Sequence, residues 1–251
     1  MLKSGLVSVS FRNLSCDGII ELAKESGLEL IEWGGDVHVV PDNPENAEKV
    51  REKTYKAGLS VSSYGSYYKL NMYENYAEEF LKVLNTAKIL GTDIIRIWAG
   101  TKGSRQTDGL TRSKMVCEAK EICDLARKEN INVCFECHNN TLTDDRFSFV
   151  KLMKEINKEN AGMYWQPNQF RSKEYNKKAL EDVLPYLKAV HVFNWTKTDR
   201  FPLSEAENEW KYYFEQIKNK DCPCLLEFMP DDNQKSLKKE AKTLNGLLNS
   251  F

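Results

Sequence analysis

Residues 132 to 168 read NVCFECHNNTLTDDRFSFVKLMKEINKENAGMYWQPN and contain the pattern from which the fold can be predicted. It begins with a short apolar run from Asn132, continues with a helical pattern over residues 145–157, and returns to an apolar run from Gly162. A strand, an amphipathic helix and a second strand in this order predict a parallel βαβ unit.

The same unit repeats along the whole chain. The eight predicted strands are LVSVSF from Leu6, LELIEWGG from Leu28, LSVSSYGS from Leu59, DIIRIWAG from Asp93, NVCFECHN from Asn132, GMYWQPN from Gly162, KAVHVFNW from Lys188 and CPCLLEFM from Cys222. Eight amphipathic helical patterns follow them, and three of these end at Gly27, Gly58 and Gly91, as helices with a left-handed C-terminal residue do.

Eight such units in 251 residues predict an α/β fold, a single-domain (β/α)8 TIM barrel over residues 1–251. The alternative is an open doubly wound sheet. The chain lacks the glycine-rich phosphate turn that such a sheet often carries after its first strand.

The composition is that of a globular protein with a real core. Hydrophobic residues are 41% of the chain, charged residues are 29%, and the net charge of -1 gives no long-range attraction for nucleic acid or an anionic membrane. We see no signal peptide and no apolar run long enough to span a bilayer. The seven cysteines are an odd number without a disulfide framework, so we expect reduced thiols and a cytoplasmic location.

The rare side chains gather at one end of the predicted barrel. Active sites of this fold lie at the C-terminal ends of the strands. All three histidines, His38, His138 and His191, map to that end. Four of the five tryptophans also do, namely Trp33, Trp98, Trp165 and Trp195. Packing alone does not distribute residues in this way, so we predict a functional pocket there.

Polar residues on the last four predicted strands suggest a metal site. Glu136 and Glu227 lie in apolar strands, where a carboxylate needs a partner, a metal or a hydrogen-bond network. The two strands between them carry Gln166 and His191. Oxygen and imidazole ligands of this kind suit Mn, Mg, Co or Zn.

Several of these residues also have a structural interpretation. His138 can orient Glu136 instead of contacting a substrate, and His38 can cap a loop. Arg96 can form an outward ion pair with a helix or neutralise Glu227.

The motifs IEWGGDVHV, RIWAG, FECHNNTLTD, YWQPN, HVFNW and LLEF resemble the xylose isomerase-like TIM barrel proteins, the sugar phosphate isomerase/epimerase group, through essentially the whole chain. The resemblance implies one divalent metal ion held by Glu136, Gln166, His191 and Glu227. Gln166 replaces the usual Asp, and Gln169 stands where active members often have His. The amide removes one negative charge, so we expect weaker metal affinity and a more electrophilic ion.

The activity that the resemblance implies is that of a sugar or sugar phosphate isomerase/epimerase. Glu136 and Glu227 would act as an acid–base pair that passes a proton next to a carbonyl through an enediolate. The implied substrate-binding residues are Trp33, His38, Trp98, His138, Trp165, Asn168, Trp195 and Lys197. The expected partner is a small sugar or sugar phosphate, and homo-oligomers are common for such barrels.

Gln166 and Gln169 also motivate a non-isomerase alternative, either a dehydratase or lyase or a non-catalytic sugar-binding protein. An endonuclease IV-like DNA repair enzyme is a further alternative from the same superfamily. Its multi-zinc cluster is rich in histidine, so three histidines and a near-neutral charge disfavour it.

Overall fold

The computed structural model describes all residues from 1 to 251. Its strands are β1 (Leu2–Val7), β2 (Leu30–Gly34), β3 (Ser60–Lys69), β4 (Ile94–Trp98), β5 (Asn132–Glu136), β6 (Ala161–Trp165), β7 (Leu187–Val192), β8 (Trp195–Thr196), β9 (Asp199–Arg200) and β10 (Cys222–Leu226). Its α-helices are α1 (Cys16–Glu25), α2 (Pro44–Lys56), α3 (Tyr76–Leu90), α4 (Gly109–Arg127), α5 (Arg146–Ile156), α6 (Lys173–Val183), α7 (Glu207–Ile217) and α8 (Leu237–Leu248).

Eight of the strands pair in parallel and close into a barrel in the order β1-β10-β7-β6-β5-β4-β3-β2. The predicted (β/α)8 barrel is therefore confirmed, and the open doubly wound sheet is wrong. The short strands β8 and β9 form an antiparallel hairpin in the loop that follows β7. No helix has both the length and the apolar character that crossing a bilayer would need.

The helices begin and end where the local chemistry predicts. The side chains of Ser15, Asp108 and Ser172 each accept a hydrogen bond from a backbone N–H in the first turn of the helix that follows. Helix α3 ends at Gly91, whose φ of 75° is in the left-handed region that favours glycine. These ends direct each helix back along the outside of the barrel.

The first strand differs from its prediction. It covers Leu2–Val7 and not the residues from Leu6 onward, and residues Ser8–Phe11 form a 3-10 turn. Two serines of this turn explain the difference, because their hydroxyls accept hydrogen bonds from the last residue of β2 and from a residue just after β10. Ser8 Oγ accepts from Gly34 N at 2.9 Å, and Ser10 Oγ accepts from Phe228 N at 2.9 Å.

The strands alternate between two apolar layers. A large cluster lies between the strands and the helices, and a smaller one of eight residues fills the barrel interior. The interior residues are Val7, Val9, Leu30, Ile94, Cys134, Tyr164, Ala189 and Leu225. Toward the C-terminal end the interior changes to buried charged and polar side chains, and this end carries the candidate site.

Candidate active site

A cavity of about 260 Å³ opens at the C-terminal end of the barrel. Its aromatic wall consists of Tyr67, Trp98, Trp195 and Phe228. Its polar wall includes Arg12, Arg96, Glu136, His138, Asn139, Gln166, Asn168, Gln169 and Glu227. Flat apolar faces together with a few directed polar groups suit a small polar molecule with a ring.

Three side chains from three strand ends converge beneath this cavity. Ligand atoms of Glu136, His191 and Glu227 all lie within 4.8 Å of one another. His191 Nδ1 is 3.7 Å from Glu136 Oε1 and 3.5 Å from Glu227 Oε2. The predicted carboxylates and imidazole thus meet in one place.

Gln166 joins the same cluster. Its Nε2 donates to Glu136 Oε1 at 3.2 Å and to the backbone oxygen of Cys137 at 2.9 Å, and its Oε1 lies 3.1 Å from His191 Nδ1. Its amide oxygen and the two carboxylates therefore all face His191 Nδ1. Three oxygen donors and one imidazole nitrogen match the donor preferences of Mn²⁺, Mg²⁺ or Zn²⁺, so these four residues suit a divalent cation.

A buried ion network supports this cluster from below. Arg96 Nε donates to Glu32 Oε1 at 2.8 Å, and Arg96 Nη1 donates to Glu136 Oε2. Trp98 Nε1 donates to the same Glu136 oxygen at 2.5 Å. Arg96 therefore points inward, so both of the roles considered for it from the sequence, an outward ion pair and the partner of Glu227, are wrong.

The pKa shifts follow from burial and from these partners. Burial opposes ionisation of Glu32 and Glu136, but Arg96 and His191 together with the hydrogen bonds to these carboxyls more than offset it, so the pKa of each carboxyl is lowered. Burial raises the pKa of Glu227, and the negative charge of Glu136 adds to that rise against the opposing effect of His191. Burial lowers the pKa of His191, but the carboxylates of Glu227, Glu32 and Glu136 together outweigh it, so the pKa is raised.

His138 lies in the cavity wall with its ring stacked on Trp98, at a centroid distance of 4.5 Å and an interplanar angle of 20°. Its Nδ1 is 2.7 Å from the backbone oxygen of Asn139. A carbonyl oxygen only accepts, so a neutral His138 carries its proton on Nδ1 and has a free lone pair on Nε2.

Four of the predicted substrate-binding residues do not line this cavity. Trp33 and Trp165 are buried on the outer side of the barrel, where Trp165 contacts Trp210 and Tyr213. His38 is buried with its Nε2 3.1 Å from the backbone oxygen of Leu14, which agrees with its structural interpretation.

Lys197, the fourth of these residues, is exposed on the hairpin between β8 and β9. Its backbone N–H donates to the backbone oxygen of Gln169 at 2.9 Å. The other four predicted residues, Trp98, His138, Asn168 and Trp195, do line the cavity.

Sequence reasoning missed Glu32 and Tyr67. Glu32 is fully buried in β2, and Tyr67 lines the cavity from within an irregular part of β3, between Gly65 and Lys69. A signal for Glu32 was available, since a carboxylate inside the apolar run LELIEW needs a buried partner as much as Glu136 does. The irregular pairing of β3 gives no comparable signal for Tyr67.

Comparison with known families settles the class of the chain. A family model described as xylose isomerase-like TIM barrel matches residues 20–247. The chain belongs to the xylose isomerase-like TIM barrel family. The resemblance seen in the motifs is confirmed by this match.

Comparison of sequences finds a relative in the 3-dehydroshikimate dehydratase of Bacillus anthracis. It is 29% identical to this xylose isomerase-like barrel over 166 residues, which are 63% of this chain and 59% of the relative. The match therefore spans less than two thirds of the relative's length.

Solved structures repeat the fold over nearly the whole chain. The probable 3-DHS dehydratase AsbF of Bacillus anthracis has a TM-score of 0.83 at 23% identity, with 98% of this chain and 99% of that chain covered. D-psicose 3-epimerase of Clostridium cellulolyticum H10, solved with D-tagatose, has a TM-score of 0.73 at 12% identity, with 99% and 98% covered.

A xylose isomerase-like barrel of Mycobacterium smegmatis, solved in complex with magnesium, has a TM-score of 0.76 at 13% identity, with 99% of this chain and 97% of that chain covered. At these identities the structural similarities establish the fold alone.

Proposed function

We propose that this xylose isomerase-like barrel is a divalent-metal-dependent dehydratase that acts on a small cyclic hydroxyketone acid such as 3-dehydroshikimate. The observation that carries the proposal is the 29% identity to a 3-dehydroshikimate dehydratase. The dehydratase that the sequence left as an alternative thus moves ahead of the isomerase.

Both reactions share their first step. Removal of the proton next to a ketone that bears a hydroxyl produces an enediolate. An isomerase or epimerase returns a proton to carbon, whereas a dehydratase expels the hydroxyl from the next carbon as water. When bound by Glu136, Gln166, His191 and Glu227, the divalent cation supplies Lewis-acid stabilisation of the negative charge on the substrate oxygens.

The contacts favour His138 over Glu136 as the base. Both oxygens of Glu136 already accept hydrogen bonds, from Arg96 and Trp98 on one side and from Gln166 on the other. Such a carboxylate is a weak base, so we assign Glu136 to the metal and not to proton transfer. His138 has a free Nε2 lone pair in the cavity wall.

In the proposed reaction His138 Nε2 takes the proton from the carbon next to the carbonyl. The C–H electron pair becomes part of the enediolate, which then expels the hydroxyl from the neighbouring carbon and leaves a C=C bond. The imidazolium returns its proton to the departing hydroxide, which leaves as water. For 3-dehydroshikimate, enolisation of the remaining ketone yields an aromatic dihydroxybenzoate.

The cavity also suits such a substrate. Trp98 and Trp195 present flat apolar faces to a six-membered ring. Arg12 lies in the wall, paired with Asp36, and its side chain is 42% exposed. We propose that Arg12 contacts the substrate carboxylate, because a guanidinium binds a carboxylate through two parallel hydrogen bonds.

The test is incubation of the purified protein with Mn²⁺ and 3-dehydroshikimate, with chromatographic detection of the dihydroxybenzoate. We expect turnover that a chelator removes, and a fall of about 10²- to 10⁴-fold in kcat for His138→Gln, as is usual when a general base is lost. His38→Gln is the matched control, because His38 lies outside the cavity and should retain turnover. No product with Mn²⁺, Mg²⁺, Co²⁺ or Zn²⁺ would contradict the dehydratase.

An epimerase is the second candidate, and one observation favours it. Glu227 lies in the cavity wall, and its carboxylate has no hydrogen bond to the protein, only an ion pair with His191. A carboxylate that transfers a proton to and from a substrate needs an oxygen that is not already hydrogen-bonded to the protein. The measurement is solvent-deuterium incorporation into D-fructose or D-psicose, which Glu227→Gln should abolish; exchange retained in this variant would remove Glu227 from the reaction.

A further inference from the structure

A groove on the outside of the barrel shares no lining residue with the active-site cavity. It has a volume of about 540 Å³ and lies between the loop that follows β3 and helix α4. Its hydrophobic lining residues are Met72, Tyr73, Tyr76 and Cys117. Met72 and Tyr73 are 53% and 38% exposed. An apolar groove that is open to this degree is a surface that a partner can cover.

Hydrogen bonds hold the groove in a fixed shape. Glu118 is buried, and its two oxygens accept hydrogen bonds from Tyr68 Oη at 2.6 Å and from Asn71 N at 2.8 Å. On the other side, Tyr76 Oη donates to Glu121 Oε2 at 2.5 Å. These bonds fix the loop after β3 and the start of α3 to α4. The groove is therefore formed before any partner binds, which lowers the entropy cost of docking.

A protruding apolar side chain lies at one end of this groove. Leu110 is the second residue of α4 and is 69% exposed. It precedes Ser113 and Lys114, which line the groove, by three and four residues, so all three lie on one face of the helix. A protruding residue and a groove on the same face suit a two-fold pair, because Leu110 of each copy can enter the groove of the other.

The charges of the groove are also complementary to one another under two-fold symmetry. Glu74 and Lys114 both line the groove and both are exposed. Neither forms a salt bridge within the chain, whereas the nearby Glu79 pairs with Lys82. In a two-fold pair, Glu74 of one copy faces Lys114 of the other, and the contact occurs twice. One acid and one base give no net attraction for an anionic membrane or nucleic acid, so a second copy fits this surface better.

The exposed area agrees with a reversible contact. Leu110, Met72 and Tyr73 together expose roughly 300 Å² on each copy, since a fully exposed large side chain offers about 150–200 Å². Polar residues beside them, such as Asn71 and Ser113, add to this area. A stable interface buries about 800 Å² on each partner, so the groove suits a dimer at the weaker end of the range.

We propose that this groove is a self-association surface. Two copies of the chain pair about a two-fold axis, with Leu110 of each copy in the groove of the other and Glu74 opposite Lys114. The inference concerns the outside of the barrel and does not depend on the proposed reaction.

Sedimentation velocity of the purified chain tests the dimer. The runs use reducing conditions, so that the exposed Cys117 does not link two chains. We expect the mean mass to rise from the 29.0 kDa of the monomer toward twice that value over roughly 1–100 µM. Leu110→Glu should raise the dimer Kd at least about 100-fold, since it removes a central apolar contact from both copies. A glutamate in the first turn of a helix is compatible with folding.

Phe147→Glu is the matched control. Phe147 is also the second residue of its helix, α5, and is also 69% exposed, but it does not line the groove. This variant should keep the wild-type Kd. A wild type that stays monomeric over the whole range would overturn the proposal. Equal effects of Leu110→Glu and Phe147→Glu would also overturn it.

Charge reversal distinguishes a contact between copies from one within a copy. Glu74→Lys or Lys114→Glu alone places like charges opposite each other twice in the dimer, so each should raise the Kd roughly 10-fold or more. In a mixture of the two variants every lysine at these positions faces a glutamate, so heterodimers should form with a Kd near that of the wild type. A mixture that associates as weakly as either variant alone would refute the two-fold pairing.

Discussion

Replacing Gln166 by aspartate tests whether the amide at the end of β6 contributes to a metal site. The Gln166 Nε2 makes two hydrogen bonds, to Glu136 Oε1 and to the Cys137 backbone oxygen. Their loss costs about 1 kcal/mol each. The new charge is also repelled by Glu136, so we expect Gln166→Asp to lower the free energy of unfolding without metal by roughly 2–4 kcal/mol.

When a metal ion is bound, we expect Gln166→Asp to be favourable instead of destabilising. Aspartate is one methylene shorter than glutamine, and a negative charge ~4 Å from a divalent ion gains about 8 kcal/mol at an effective dielectric constant of 20. The repulsion from Glu136 is present before the metal binds, so it does not oppose binding. Desolvation of the ion and of the new carboxylate consumes most of the gain. We therefore expect Mn²⁺ affinity to rise at least about tenfold, which corresponds to about 1.4 kcal/mol.

The assay is calorimetric titration with Mn²⁺, together with urea unfolding with and without the ion. Gln166→Glu separates charge from length, because it keeps the wild-type side-chain length. Gln169→Asp is the matched control, since Gln169 lines the cavity but its side chain makes no hydrogen bond to Glu136, Gln166, His191 or Glu227. Unchanged or weaker Mn²⁺ binding in both Gln166 variants would refute the reasoning and place Gln166 against the substrate or the core.

Two further predictions concern buried groups. Arg96→Met leaves Glu32 and Glu136 without their buried counter-charge, so urea unfolding should show a loss of about 3–5 kcal/mol; a loss within the error of the wild-type value would contradict the network. Burial raises the pKa of Cys123 from 9.0 to about 12. The folded state holds the thiol proton more tightly than the unfolded state does. The contribution of the Cys123 thiol to the free energy of unfolding is therefore fully present below pH 9 and is lost as the pH approaches 12. Between these values wild-type stability should fall by about 1.4 kcal/mol per pH unit more steeply than that of Cys123→Ala, and parallel slopes would contradict the burial of this thiol.

The barrel could be predicted because its signals are local. Alternation of apolar strands with amphipathic helices is visible in any window of about 30 residues, and parallel βαβ units that repeat eight times leave few topologies. The end of β1 differs from the prediction because it depends on residues distant in sequence. Ser8 and Ser10 accept hydrogen bonds from Gly34, the last residue of β2, and from Phe228, which follows β10.

Trp165 was predicted to bind substrate but lies in the core, and the alternation of side chains along a strand could have shown this. Successive strand residues point to opposite faces, so Trp165 cannot share the cavity face with Gln166. The same rule places Arg96 and Trp98 on one face, and both line the cavity. The position of a residue along its strand is sufficient to predict that it lies at the cavity end of the barrel. Whether it lines the cavity or packs in the core depends on the face of the strand to which its side chain points.

The family, the barrel and the four strand ends that carry Glu136, Gln166, His191 and Glu227 can all be predicted from the amino-acid sequence. The reason is that parallel strands in a closed barrel bring their C-terminal ends to one place whatever the details of packing. Which buried charges contact one another is visible only in the folded barrel. The contacts of Glu32 with Arg96 and His191 join strands that are not neighbours in the barrel, and they depend on the register and twist of every strand between them.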